Sequence, residues 1–390
     1  MAQEKKVIKK SDWISNFTLI GKPKISEDYT FKIDEQSEKS NWIYNSMNLG
    51  IDCGEAHGLI YCEMMGGYSA ENENKIYAHG KKDDGSDDFE NQIIVDWDDR
   101  FDENILEEIG ELSFITVGIE KTNKDKTFYK KFLSAYDAIA YIKEHLTEDM
   151  VLNVRGTLKY STYNDVVQIR KTITSIALSK VDDPSNYAAR FTQSILIDKD
   201  SASLKNIDKD KGVMYVDTRV LDYVKEVNGI EVKGQYPYNK QFEFRFPNLE
   251  DEKQCKAIYE SLFKVKKGVK QINFEGEFIE GGAVTTLTWE EVPDDIKGLV
   301  AMGFYTKEEA IIKCSANGNR ERRMVLTRPI TKQIGDEDNK TTVVQMFDEK
   351  YDEEDLILDY LFTNDSDDEV PFDVDEESNA SNDMDWLKAL

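Results

Sequence analysis

The chain has 390 residues, a formal net charge of −27, and 39% hydrophobic against 33% charged residues. That much apolar material excludes a wholly disordered polypeptide, and no stretch approaches the ~20 apolar residues of a membrane helix. The charge is unevenly spread: residues 336–390 hold 20 Asp or Glu against Lys340, Lys350 and Lys388, a segment charge of −17 that leaves only −10 for residues 1–335.

The opening MAQEKKVIKKSDW is basic but lacks an apolar run, so no secretory signal is read there and a cytoplasmic protein is expected. Cys53, Cys62, Cys255 and Cys314 form no CxxC pair, and His57, His79 and His145 complete no ligand spacing. Reduced thiols, no metal and no cofactor are expected.

In chain order, FTLIGKPKI and YTFKID within residues 1–45 predict extra strands or an arm. SMNLGIDCG and GLIYCEMMGGY, from Ser46 and Gly58, alternate in polarity as paired strands do, and NQIIVDW and LSFITVGI continue the pattern. FYKKFLSAYDAIAYIKEHL then predicts one amphipathic helix, with Phe132, Ala135, Tyr136, Ile139, Ile142 and Leu146 at three- and four-residue steps. VLNVRGTLKY and VVQIRKTITSIAL follow as strands around the turn-forming STYND.

The order repeats after the linker at 181–187. RFTQSILID and GVMYVDTRVLDYV read as strands, EVNGIEVKGQYPYNK as a turn region, and QFEFRF as a strand. EDEKQCKAIYESLFKV reads as a helix, and QINFEGEFIEG with AVTTLTWEEV closes the copy. Gly156 and Gly276 fall at the same place in the two closing hairpins, where a glycine marks a bulge or sharp bend. The expected fold is therefore mainly β (α+β), with tandem five-stranded OB-type β-barrels at 46–180 and 188–293, each with one helix between strands three and four. A small helical appendage with a basic strand occupies 294–334, and an acidic disordered tail runs over 335–390.

OB barrels bind oligonucleotides on strands two and three and the bordering loops, using rings for base stacking and cations for the backbone. Several segments mix the two. Lys159, Tyr160 and Tyr163 lie by the loop between strands four and five of the first barrel, with Arg170 on the next strand. Tyr236, Tyr238, Lys240 and Arg245 belong to the second barrel, where Phe242, Phe244 and Phe246 share an inward face. Phe128, Tyr129 and Lys130 start the first helix, and Arg320, Arg322, Arg323 and Arg328 form the densest basic cluster.

In the tail, Asp367-Asp368-Glu369-Val370-Pro371-Phe372 resembles the acidic Pro-Phe tip of bacterial and phage single-stranded DNA-binding proteins. The resemblance implies strand coating in phage-type replication, recombination or repair, in the host cytoplasm if phage-encoded. It also implies recruitment of partner proteins through Pro371 and Phe372. In that family the tip ends the chain, whereas here the sequence continues to Leu390, and Trp386, Leu387 and Leu390 form a second acidic-hydrophobic tip. No GxxxxGK[ST], GxGxxG or GxSxG motif is present, so no enzyme is expected. Two other readings stay open: a structural or protein-interaction protein such as a virion component, and an acidic DNA mimic.

Overall fold

A computed structural model describes residues 13–356 except 39, 165, 228–229, 281–288, 290–291, 303–304, 308–309, 312–321, 336–339, 349 and 352. It is mostly β. The first ring is built from β1 (Ser15–Lys24), β3 (Trp42–Asp52), β4 (Leu59–Ser69), β9 (Leu152–Tyr163) and β10 (Val166–Leu178). β1 pairs antiparallel with β3 and with β9, β3 with β4, and β9 with β10, while β4 and β10 meet in parallel at Glu63 and Thr172. Five strands thus close on themselves, which removes free edges from that part of the sheet. The segment expected as an arm supplies strand one of this ring. Its Phe17, Leu19 and Gly21 point inward at every second position, the period a half-buried strand requires.

Between β4 and β9 the chain makes an excursion. It forms a β5–β6 hairpin (Lys75–Lys81 and Asp87–Asp96), a short helix α1 (Glu103–Glu108), and a β7–β8 hairpin (Ile115–Lys121 and Thr127–Phe132). Helix α2 (Ala135–His145) then buries Ala138, Ile139, Tyr141 and Ile142 against the ring. The single helix expected from Phe128 onward is therefore shorter. The Ser134 hydroxyl accepts a hydrogen bond from the Tyr136 amide and caps α2, and the residues before it pair as strand β8.

β11 (Ala188–Ile197), β13 (Val213–Val227), β14 (Ile230–Arg245), β15 (Lys270–Glu280) and β16 (Arg322–Pro329) repeat the same pairing order. β11 meets β13 at Leu196 and Arg219 and runs along β15, β13 pairs with β14, and β16 lies parallel to β14 and antiparallel to β15. Helix α3 (Glu252–Ile258) stands between β14 and β15 in the chain. Two expectations change here. Residues 226–227 and 230–240 pair as strands of a long hairpin rather than forming a turn region. The last strand beside β15 is β16, whose Met324, Val325 and Leu326 are buried. Of residues 283–292, expected in that place, all but Trp289 and Val292 lie outside the described residues.

The rings are joined through their first strands. β1 and β11 pair antiparallel from Ser15 opposite Gln193 to Ile20 opposite Ala188, which puts Phe17 opposite Phe191. Each phenylalanine also faces the glycine that the sequence singled out, Phe17 opposite Gly156 and Phe191 opposite Gly276. A Cβ at either glycine would overlap that ring and a neighbouring backbone carbonyl. Buried polar groups seal the joint. The hydroxyls of Ser15 and Tyr160 each donate to Gln193 Oε1 at 3.0 Å, and the Ser194 hydroxyl donates to Asn273 Oδ1 at 2.7 Å.

The described part of residues 340–356 is not a free tail. β18 (Thr341–Val344) pairs with β17 (Thr331–Ile334), β19 (Met346–Phe347) adds to β15, and Tyr351 and Leu356 are buried with Leu196, Leu221 and Val269. The apolar islands of this acidic stretch have a surface to cover, and that burial offsets the cost of ordering the chain. Among the described residues no helix is long and apolar enough to cross a membrane.

A second joint is ionic. Lys171 Nζ lies 2.6 Å from Glu280 Oε1, both side chains are about nine-tenths buried, and the ammonium sits 4.9 Å from the centre of the Phe278 ring. Removing one partner strands a buried charge, at a typical cost of about 3 kcal/mol or more, whereas an apolar pair of similar volume is often tolerated. In chemical denaturation, Lys171→Met and Glu280→Leu singly are expected to destabilise by about 3 kcal/mol each. The double variant is expected to recover most of that loss; strictly additive losses would contradict the pairing.

Candidate nucleic-acid interface

The β9–β10 hairpin of the first ring leans on the β13–β14 hairpin of the second. Asp222 of β13 accepts from the Tyr160 backbone N–H at 2.8 Å and lies 3.4 Å from Lys159 Nζ. The Tyr160 and Tyr238 rings stand 6.2 Å apart, and Tyr236 meets Tyr238 edge-on at 4.8 Å. Arg170 lies opposite Lys159 in the hairpin register and reaches Glu63 at 3.7 Å. The fold thus brings Lys159, Tyr160, Arg170, Tyr236 and Tyr238 from three strands to one junction, with Tyr163 at the hairpin tip.

Not all of these side chains face solvent. Tyr160 is 4% exposed and Tyr238 5%, so neither ring is free to stack on a base. Tyr160 continues the inward alternation of Leu152, Val154, Gly156 and Leu158, and Tyr238 shares the inward parity of Phe242 and Phe244. Burial pushes the Tyr160 hydroxyl's pKa upward and that of Tyr238 up to about 12, with the Asp222 carboxylate adding to both. Their role is to hold the junction. Tyr163 is 46% exposed, while Lys159 and Arg170 present about half of their side-chain surface to water.

Two further residues lie beside Glu63. Ile60, Cys62 and Met64 of β4 point inward, so Tyr61 and Met65 point outward on either side of Glu63. The alternation in GLIYCEMMGGY carried that signal for Tyr61 and Met65.

The other expected residues lie elsewhere. Phe128, Tyr129 and Lys130 are on the edge strand β8, where Lys130 Nζ sits 4.2 Å from the centre of the Tyr141 ring. Across β14, β16 and β15, Arg245 pairs with Glu277 at 3.1 Å, Arg323 grips Glu243 through three contacts of 2.5–3.0 Å, and Arg328 reaches Glu275 at 2.6 Å. Of the expected basic cluster, Arg322 and Arg328 are exposed on β16, Arg323 is half-buried on Glu243, and Arg320 lies outside the described residues, so Arg245, Arg323 and Arg328 each meet a glutamate. The acidic residues at alternate positions of QFEFRF and NFEGEF were the sign. Pro371, Phe372, Trp386, Leu387 and Leu390 lie outside the described residues.

Burial likewise raises the thiol of Cys53 and takes that of Cys62 up to about 12, which keeps both protonated. Among the described residues no group of three His, Cys, Asp or Glu side chains is placed to hold a metal ion.

No family model matches the chain, and no curated protein does. Among solved structures it is similar to a deletion mutant of the single-stranded DNA binding protein from Thermus aquaticus, at a TM-score of 0.30 and 9% identity, over 69% of this chain and 87% of that one. A likeness this distant speaks to neither ligand nor role.

Lys240 sits on β14 two residues from Tyr238 and on the same face. It is half-buried, and its pKa is lowered by burial alone, with no carboxylate to offset the desolvation. A charged group kept at a cost in the fold is a candidate for work outside it. Lys240→Met, which removes a partly desolvated charge, is expected to leave the melting temperature unchanged or raised. A clearly lowered melting temperature would make Lys240 a structural residue.

Proposed function

We propose that this protein binds single-stranded DNA with little sequence preference, as a strand-coating protein of phage-type replication and recombination. In this reading the two rings are tandem OB-type barrels, each with its helix between strands three and four, and the strand runs across their junction. The reading is carried by one observation. Lys159, Arg170 and Tyr236 lie at the junction of the two rings, with Tyr163 at the β9–β10 tip and half-buried Lys240 on the face of β14 that carries Tyr238; Lys159 and Arg170, although 3.4 and 3.7 Å from Asp222 and Glu63, keep about half of their side-chain surface exposed. Exposed rings near cations are what sequence-tolerant single-strand binding uses, with each stacked base contributing about 1–3 kcal/mol.

Charge distribution supports the same reading. Residues 357–390 hold 11 acids against Lys388, a segment charge of −10. A chain segment of that sign competes with phosphates for a cationic groove and weakens binding until it is displaced. Once displaced, Pro371 and Phe372, or Trp386, Leu387 and Leu390, are offered to replication or repair partners.

Fluorescence anisotropy with labelled oligothymidine tests the proposal. Micromolar or tighter binding is expected, stronger for single than for double strands. Lys159→Ala with Arg170→Ala is expected to flatten the slope of log K against log salt by roughly 1.4, two contacts at about 0.7 each. Truncation after Leu356 should preserve or strengthen DNA binding while partners are lost. No binding at low salt by the full chain would end the reading.

A further inference from the structure

At the far end of β4, where α2 begins, three rings gather away from the hydrophobic core. Tyr68 lies 5.1 Å from Trp97 and 5.4 Å from Tyr136, and Trp97 lies 6.0 Å from Tyr136. All three are half-buried, and none belongs to or packs on the buried clusters. Phe101, 57% exposed, extends the surface. Core packing does not account for four rings in this place.

The surroundings set the sign of any ligand. Asp96, Asp98 and Asp99 flank Trp97 and are exposed, and Asp34 accepts a hydrogen bond from the Tyr136 hydroxyl. Lys75 is engaged by Glu73 and Asp96 at 3.3 and 2.9 Å. A phosphodiester would meet net repulsion here. A cation would meet exposed carboxylates beside half-buried aromatic rings.

The chain itself supplies the precedent. The Arg100 guanidinium lies 4.2 Å from the centre of the Trp97 ring and 4.5 Å from that of Phe101. Asp137 holds it there through contacts of 2.8 and 3.2 Å, and the Trp97 carbonyl accepts from it at 2.7 Å. One arginine is thus already stacked and anchored, and the Tyr68–Tyr136 side of the platform repeats the same chemistry without one.

We infer that this aromatic platform docks a basic segment of a partner protein, an arginine side chain stacking on Tyr68, Trp97 and Tyr136 while Asp34, Asp98 and Asp99 attract the rest. The site is separate from the barrel junction and does not depend on the DNA-binding reading. It gives the protein a way to hold a partner while the junction is occupied.

The test uses the full chain, labelled octa-arginine and labelled oligothymidine at about 0.15 M salt. Trp97→Ala is expected to weaken octa-arginine binding about fivefold or more, the scale of one desolvated cation–π contact. Asp98→Asn with Asp99→Asn, which leaves the rings in place, should weaken it less but measurably, and octa-lysine should bind more weakly than octa-arginine. Oligothymidine binding should be unchanged in both variants. If both variants bind octa-arginine as the parent does, the acidic C-terminal segment alone captures the peptide and the inference fails. If Trp97→Ala instead weakens oligothymidine, the platform stacks bases and the inference also fails. Should Trp97→Ala not fold, the Asp98→Asn, Asp99→Asn variant and the arginine–lysine comparison decide alone.

Discussion

The seam between β1 and β11 is the constraint on which the rest of the molecule hangs. Phe17 and Phe191 face each other across it, and each occupies space that only a glycine on its own ring's next strand leaves open. Because both strands are also members of their rings, neither ring moves without disturbing the other's hydrogen-bond ladder. Burial of the rings supplies a non-directional attraction of ~2–3 kcal/mol each. The ladder and the Ser15–Gln193–Tyr160 bonds convert it into one fixed orientation.

That orientation creates the junction. Lys159 and Arg170 come from the first ring, Asp222, Tyr236 and Lys240 from the second, and their relative positions follow from the angle set at the seam. Lys171 and Glu280 hold the joint at another point, where a buried ion pair specifies geometry more than it adds stability. Tyr160 and Tyr238 belong to this scaffold: their rings fill the joint, and exposed Tyr163 and half-buried Tyr236 are left at its rim.

Charge is managed locally throughout. The outer face of the second ring carries arginines and glutamates in matched pairs, the junction keeps Lys240 without a counter-charge, and the Trp97 platform keeps carboxylates around a single anchored arginine. Three surfaces of one acidic chain thus differ in sign and in what they can hold. Net charge describes none of them, because interactions beyond a Debye length of about 8–10 Å are screened.

Much of the fold was legible in the chain. Period-two alternation marked the strands, since a residue's side of a sheet depends only on its parity. The matched glycines at 156 and 276 marked the same bend in both rings, since close approach forbids a Cβ in any register. The boundary of α2 was misplaced because ring-rich TFYKKF fits either period, and only pairing with β7 makes it a strand. The order at 340–356 was hidden because a few apolar residues among acids signal structure only once a surface exists for them to cover.

By itself, then, the sequence determined most of the strands, the inward phenylalanines and the segregation of acid toward the C-terminus, all properties of neighbours along the chain. Tertiary structure alone decided which rings were buried and which cations were neutralised: Tyr160 and Tyr163 are three residues apart yet lie on opposite sides of that divide. Arg323 loses its freedom to Glu243, eighty residues away. Parity separates the two faces of a strand, but which face is covered, and which carboxylate meets which cation, is set by contacts between distant segments.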